Sequence, residues 1–323
     1  MSYGPICTDN IYVYNYTIFF EIEILKKKKD GVHMRSKSIK LISLIAVLLL
    51  SVILVAVLIK PAPNQEISKE TDDLIIANLD VGKADSAFVE YHGICGIIDT
   101  GTKDSYSTIK EFLDDNGTDT IDFLVITHYD KDHVGSAVKL LNNFDIEKIY
   151  LADYVSSKSG YSKLLEAIDG RDNVFFISSP TNIAIDDLSM DILPSDNPSA
   201  LISDADNMDN NMSLLCMITL GEKRFLFAGD IEKDRISQIL DSGTDLKADW
   251  CKLPHHGAYE DNISDFLSMV DPDYSVVSTG PERPMDNRLL TILNQMKIQN
   301  YNTMGGTVIT TCDGKDITIR YIN

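Results

Sequence analysis

The stretch ITHYDKDHVGS, Ile126 to Ser136, places His128, Asp130, Asp132 and His133 within six positions. Crowded carboxylates repel one another and lose hydration if buried, so a fold gathers them only against something that compensates their charge. The preceding DFLVIT reads as a buried strand. In α/β folds the C-terminal ends of strands are where ligand-binding groups collect. A strand cannot aim all these groups one way, but a loop turning into a helix at His133–Val134 converges them. Two further strand ends carry similar chemistry: Asp230 closes FLFAGD, and DWCKLPHHGA brings His255 and His256 to a strand-to-loop junction. Carboxylate oxygens and imidazole nitrogens delivered together suit Zn, Mn or Fe. Taken singly, Asp130 or Asp132 reads more naturally as a helix N-cap ahead of HVGSAVKLL. Their joint occurrence with Asp230 and PHHG favours a metal site.

The chain has 323 residues and a net charge of −20. Such a field disfavours unaided binding to nucleic acid, which needs Lys and Arg against phosphates. Leu41 to Ile59 is a 19-residue run without a charge, long enough to cross a bilayer as a helix. Lys26 to Lys29, Arg35, Lys37 and Lys40 precede it, while Lys60 and Lys69 follow. This bias predicts a cytoplasmic segment 1–40, a single uncleaved anchor at 41–59, a polar linker at 60–71 and an extracytoplasmic domain at 72–323. Met34, opening MRSKSIK, is a natural start, which makes 1–33 a candidate over-extension of the chain. The first 70 residues hold 9 basic and 6 acidic residues, leaving 20 against 43 beyond them, a net −23. Cys7, Cys95, Cys216, Cys251 and Cys312 are scattered without a CxxC spacing and read as free thiols.

Within the outer region LIIANLDV, SAFVEYHGICGIID, DFLVIT, YSVVSTG, GTVITT and DITIRYI read as strands. SLLCMITLGEKRFLFAGD reads as a hairpin turning at Gly221 and Glu222, and YSTIKEFLDDNG, DRISQILDSG and NISDFLSMV as helices. The alternation predicts one α/β domain.

THYDKDHVGS resembles the HxHxDHxGG signature of metallo-β-lactamase-fold hydrolases in an HxDxDH variant. NLDVGKADSAFVE, GIIDTG, NNMSLLCMITLGEKRFLFAGD and LPHHGA resemble that family's other motifs, in order. The combination most resembles the C-terminal hydrolase domain of ComEC-type competence proteins and their stand-alone relatives. The resemblance covers about Leu74 to Ile322. It implies an αββα four-layer sandwich with two divalent metals, Zn or Mn, at one edge between two sheets. His128 and Asp130 would hold one metal, Asp132, His133 and a histidine of the HH pair the other, and Asp230 would bridge. Adjacent residues on an extended chain point apart, and Pro254 stiffens the approach, so His255 is expected as the ligand and His256 beside the substrate. Asp85 matches an acid near the family's site, and Asp132 would also orient the attacking water. The chain departs from the pattern at Lys83 and Ala84, at Asn210 or Asn211 where a third-motif histidine is missing, and at RPMDNR in place of a GHP motif.

Lys252 has two readings, a substrate-phosphate contact or a solvated strand-end lysine. Asp204, Asp206 and Asp209 lack the EF-hand glycine and closing glutamate and read as an acidic loop. His33 and His92 have no ligand company. The resemblance implies a membrane-anchored phosphodiesterase or nuclease-like enzyme, with nucleic acid admitted as substrate. Hydrolysis of other phosphoesters (phosphocholine-type), lactones or amides is the second reading, and a non-catalytic metal-binding module the third.

Overall fold

Short apolar runs become strands here because both their faces find cover, and β1 (Leu74–Asn78) is buried at every position. The computed structural model describes residues 73–201 and 208–322, all within a compact unit spanning 65–323. In chain order the strands continue as β2 (Ala87–Tyr91), β3 (Ile94–Ile98), β4 (Thr120–Ile121), β5 (Phe123–Ile126), β6 (Asp145–Ile146), β7 (Ile149–Ala152) and β8 (Val174–Ile177). Then come β9 (Thr181–Ile185), β10 (Leu188–Leu193), β11 (Leu215–Leu220), β12 (Lys223–Phe227), β13 (Trp250–Lys252), β14 (Tyr274–Val277), β15 (Gln299–Asn302), β16 (Thr307–Cys312) and β17 (Ile317–Ile322).

Two mixed sheets dominate. One runs β17-β16-β1-β2-β3-β5-β7-β8, the other β15-β14-β13-β12-β11-β10-β9, and β4 pairs with β6. The hairpin expected at Gly221 and Glu222 forms, pairing Leu220 with Lys223. Strand β11 shows how the layers arise. Its alternate residues Cys216, Ile218 and Leu220 join the core shared with the first sheet, while Leu215 and Met217 face a second core. Trp250 lies in the shared core against Phe225 and Phe227.

Helices cover the outer faces. α1 (Tyr106–Asp115), α2 (Ala137–Asn143) and α3 (Ser159–Ile168) bury Ile109, Leu113, Leu140, Leu164 and Ile168 in the first core. Two four-residue helices, α4 (Pro198–Leu201) and α5 (Met208–Asn211), flank the undescribed segment 202–207. α6 (Lys233–Ser242), α7 (Ile263–Val270) and α8 (Asn287–Met296) bury Ile236, Phe266, Leu267 and Leu293 against the second sheet. The order is helix, sheet, sheet, helix, the four-layer sandwich the motifs implied.

The apolar run 41–59, the N-terminal segment and linker, Cys7 and His33 lie outside the described residues. Among the described residues no helix is long and apolar enough to cross a membrane. Cys95, Cys216, Cys251 and Cys312 are buried free thiols.

Candidate metal centre

Loops leaving four strand ends meet at one edge between the sheets. From the first sheet β5 leads into His128 and His133, and β3 into Asp99. From the second, β12 leads into Asp230 and β13 into His256. The His128 loop does not pass directly into a helix. The amides of His133 and Val134 bond to the Asp130 carbonyl at 2.9 and 3.0 Å, and α2 starts only at Ala137. Gly135 makes this turn fit: a Cβ there would lie 2.4 Å from the Lys131 carbonyl oxygen and 2.5 Å from the Lys103 nitrogen.

His128, His133 and Asp230 bring ligand atoms within 4.8 Å of one another. So do Asp132, His133 and His256, and Asp85, Asp230 and His256. Each imidazole is oriented through Nδ1. His133 Nδ1 donates to Asp99 Oδ2 at 2.8 Å, and His256 Nδ1 donates to the Ser278 carbonyl at 3.1 Å. His128 Nδ1 lies 3.1 Å from Thr127 Oγ1 and 3.2 Å from Ser213 Oγ. The Thr127 hydroxyl already donates to Asp99 Oδ2 at 2.7 Å, so it accepts from the ring. A carboxylate and a carbonyl can only accept, so Nδ1 carries a proton, and in the neutral ring Nε2 is the atom left with a lone pair.

Those Nε2 atoms, of His128, His133 and His256, are buried and make no directed hydrogen bond, and neither does Asp230 Oδ1. His133 Nε2 and His256 Nε2 sit 3.2 and 3.3 Å from Asp230 Oδ2. A buried polar atom without a partner is costly, and several converging ones mark a site built for a cation. The donor set, imidazole nitrogen with carboxylate oxygen, fits a divalent transition metal.

The electrostatics are those of a strongly negative cluster. Burial alone would depress His133, but Asp230 and Asp99 outweigh it and hold the imidazole well above its ordinary value. Burial likewise opposes charge on His256, and Asp230 and Asp85 lift it to about 9. His128 goes the other way, lowered by burial and by its neighbour His133. Desolvation would raise Asp230 and Asp132, yet the imidazoles of His133 and His256 pull both below the usual carboxylate range.

Two expected ligands stand apart. Asp130 is absent from the groups of ligand atoms; its buried Oδ1 pairs with Lys158 Nζ at 2.9 Å. His255 and His256 have exchanged places relative to the expectation. His256 is buried in the cluster, whereas the His255 side chain is 26% exposed with Nδ1 3.2 Å from Glu232 Oε1. The alternation argument needed extended backbone, but φ is +44° at His255 and +51° at His256. Asp132 is where expected, its Oδ2 3.5 Å from His256 Nε2 and 3.3 Å from Lys83 Nζ.

Asp85 is buried beside the cluster, and its partner corrects both readings of Lys252. That lysine is buried and donates to Asp85 Oδ2 at 2.8 Å, so it is neither solvated nor facing a substrate. Asn211 Oδ1 accepts from the amides of Glu232 and Arg235 at the start of α6, while Asn210 Nδ2 donates to Glu232 Oε1. Nearby, the Ser213 hydroxyl touches His128 and accepts from the Asp230 amide at 3.1 Å. Asp209 is a buried acceptor for Tyr154 and Ser156 rather than part of an open acidic loop; Asp204 and Asp206 lie outside the described residues. His92 pairs with Asp186 at the surface. Asp99 was missed. Its signal was of the same kind as that of Asp230, an aspartate closing an apolar run, IID in one case and FLFAGD in the other.

Residues 79–188 match the family model of the Metallo-beta-lactamase superfamily. The ComE operon protein 3 of Bacillus subtilis (strain 168) is 26% identical over 255 residues, covering 71% of this chain and 32% of that protein. Recombination protein 2 of Haemophilus influenzae is 24% identical over 219 residues, covering 65% of this chain and 24% of that protein. The chain therefore spans a third or less of the curated relatives it matches. Among solved structures, the metallo-beta-lactamase fold protein YhfI from Bacillus subtilis aligns with TM-score 0.48 and 10% identity over 71% of this chain and 95% of that one. Igni18, a metallo hydrolase from Ignicoccus hospitalis, aligns with TM-score 0.46 and 15% identity over 78% and 100%. Over residues 79–188 the chain thus resembles the metallo-β-lactamase superfamily, and over most of its length it is similar to ComE operon protein 3 and Recombination protein 2.

Proposed function

We propose that the chain is a membrane-anchored phosphodiester hydrolase that works with two divalent metals, Zn or Mn. The observation that carries this reading is the convergence of three bare imidazole Nε2 atoms and Asp230 Oδ1 in one buried cluster. His128, His133 and Asp230 would hold one metal; Asp132, His256 and again Asp230 would hold the second. The chemistry a divalent pair supplies is Lewis acidity toward water and toward the oxygens of the attacked group.

The chain's own residues do the rest. Asp99, Ser278, Thr127 and Ser213 hold the three rings with Nε2 inward, as supporting partners commonly do for ligating histidines. Asp132, at the rim of the cluster, accepts a proton from the attacking water or orients it. Asp85, fixed by Lys252, keeps a negative charge beside His256. A cavity of about 570 Å³ opens from His255 and His256, bounded by Lys83, Tyr259, Arg283 and Arg288, and gives a substrate room. Strands of nucleic acid are within this substrate class, and local cations would have to offset the domain's −23.

The anchor rests on the uncharged run 41–59 and the lysines before it. The deciding experiment is to assay the purified chain, with its metal content measured, on bis-p-nitrophenyl phosphate, nitrocefin and a lactone. Turnover of the phosphodiester is expected. Turnover of only the lactone or nitrocefin would move the substrate class, and stoichiometric metal with no turnover on any would leave a binding module.

A further inference from the structure

Lys83 belongs to no role assigned above. It sits in the loop joining β1 to β2, where Ala84 bonds back to the Gly82 carbonyl at 2.9 Å. Its ammonium reaches Asp132 Oδ2 at 3.3 Å, and its side chain remains 22% exposed at the wall of the cavity that also holds His255 and His256. A second cation, Arg283, lines the same cavity from the turn after β14. The two loops are pressed together. Gly280 has so little room that a Cβ would come 3.1 Å from the Lys83 nitrogen, and the Arg283 amide closes the turn onto the Gly280 carbonyl at 3.0 Å. The far end of the turn is fixed too, since the Asp286 amide bonds to the Gly257 carbonyl at 3.0 Å.

The remaining charges of the wall sort themselves. Arg288 pairs with Asp286 through two contacts of 3.1 and 2.7 Å and lies 3.9 Å over the Tyr259 ring. These two cancel. Glu282 is exposed and lines the same cavity. Of the cations lining the cavity, Lys83 is the one that touches the cluster, through Asp132, and its side chain stays partly exposed. An ammonium is a compact point charge that can reorient toward an oxyanion without rebuilding its loop.

We propose that Lys83, assisted by Arg283, is an anion subsite that selects substrates carrying a negatively charged phosphoryl group in this cavity. The proposal rests on the phosphodiester reading, and it deepens that reading by naming what admits an anion to a domain of net −23. It also gives a use to two of the positions, Lys83 and the RPMDNR segment, where the sequence departs from the family pattern.

The test uses the full metal-loaded chain and two readouts. Inorganic phosphate binding is measured by titration calorimetry, and bis-p-nitrophenyl phosphate hydrolysis by steady-state kinetics. Lys83→Met should weaken phosphate about tenfold, the loss of one charge-assisted contact. KM for the diester should rise by a similar factor with kcat within about threefold and metal content unchanged. Lys83→Arg should recover most of the phosphate affinity, and Arg283→Gln should show a smaller loss. If Lys83→Met binds phosphate as wild type does, or sheds metal so that kcat rather than KM falls, Lys83 only steadies Asp132 and the proposal is overturned. Failure of the diester reading would appear separately, as absent turnover in wild type. The phosphate titration still decides the subsite in that case.

Discussion

Two consecutive histidines with φ of +44° and +51° occupy the turn after β13. Left-handed backbone costs a non-glycine residue roughly 1–2 kcal/mol, so this turn persists because its surroundings and its function require it. The geometry sends His256 inward and leaves His255 at the cavity. His256→Ala should therefore release metal, while His255→Ala should retain it and lose turnover; elemental analysis of the two purified variants distinguishes the cases. Asp230→Asn should lose metal more completely than any single histidine variant, because its carboxylate lies near both His133 and His256. Asp99→Asn acts at one remove. It weakens the hold on His133 Nδ1 and should lower metal affinity by about 10- to 100-fold, read by competition with a chromogenic chelator. At this scale His128, Asp132, His133 and Asp230 stood out as polar residues crowded after the apolar runs DFLVIT and FLFAGD, and the structure gathers them. Asp99 carried the same mark and was passed over. The order of His255 and His256 was not legible, since nothing in PHHG announces two left-handed residues.

Strands and helices with one-sided apolar patterns were read well, and for a physical reason. DRISQILDSG and NISDFLSMV became α6 and α7 because their apolar residues recur at helical spacing against the second sheet. The segment from Asp145 to Leu201 received no assignment. Strand β8 leaves Phe175 and Phe176 exposed, so no alternation marks it, and Lys158 ahead of α3 supplies no side-chain cap to punctuate the helix start. The loop elements that carry the site depend on close backbone approach instead. Gly135→Ala should force backbone apart at Lys131 and Lys103 and cost about 1–3 kcal/mol in chemical denaturation. Its metal affinity should fall with it, since the same turn presents His133. A fully stable Gly135→Ala chain would show that the loop adapts freely.

For the whole molecule, the two sheets and their helices give a stable sandwich whose interior thiols set an alkaline limit. Burial pushes Cys251 up to about 12 from an ordinary value of 9. The folded thiol keeps its proton over that interval while the unfolded one gives it up, so the unfolded chain binds fewer protons and stability falls as pH rises from about 9 toward 12. Below pH 9 the contribution is fully present. Cys251→Ala should flatten that decline in denaturation midpoints, though not abolish it, because burial also raises Cys216. The proposed anchor is tested at this scale too. External protease applied to intact cells should shave off the domain if the proposed topology holds, and a domain protected until lysis would overturn that proposal.

The candidate ligands come from both halves of the sandwich: His128 and His133 follow strands of one sheet, Asp230 and His256 strands of the other. A cation there is also a rivet. Its removal would unfasten the sheets at that edge while the apolar core still holds them elsewhere, so opening would begin at the mouth of the cavity. A ligand that binds only the folded form adds about 2.7 kcal/mol at a hundred times its dissociation constant. The chain's resistance to heat and proteases would then track the metal supply of its surroundings, making the availability of an ion a control on how long the protein survives.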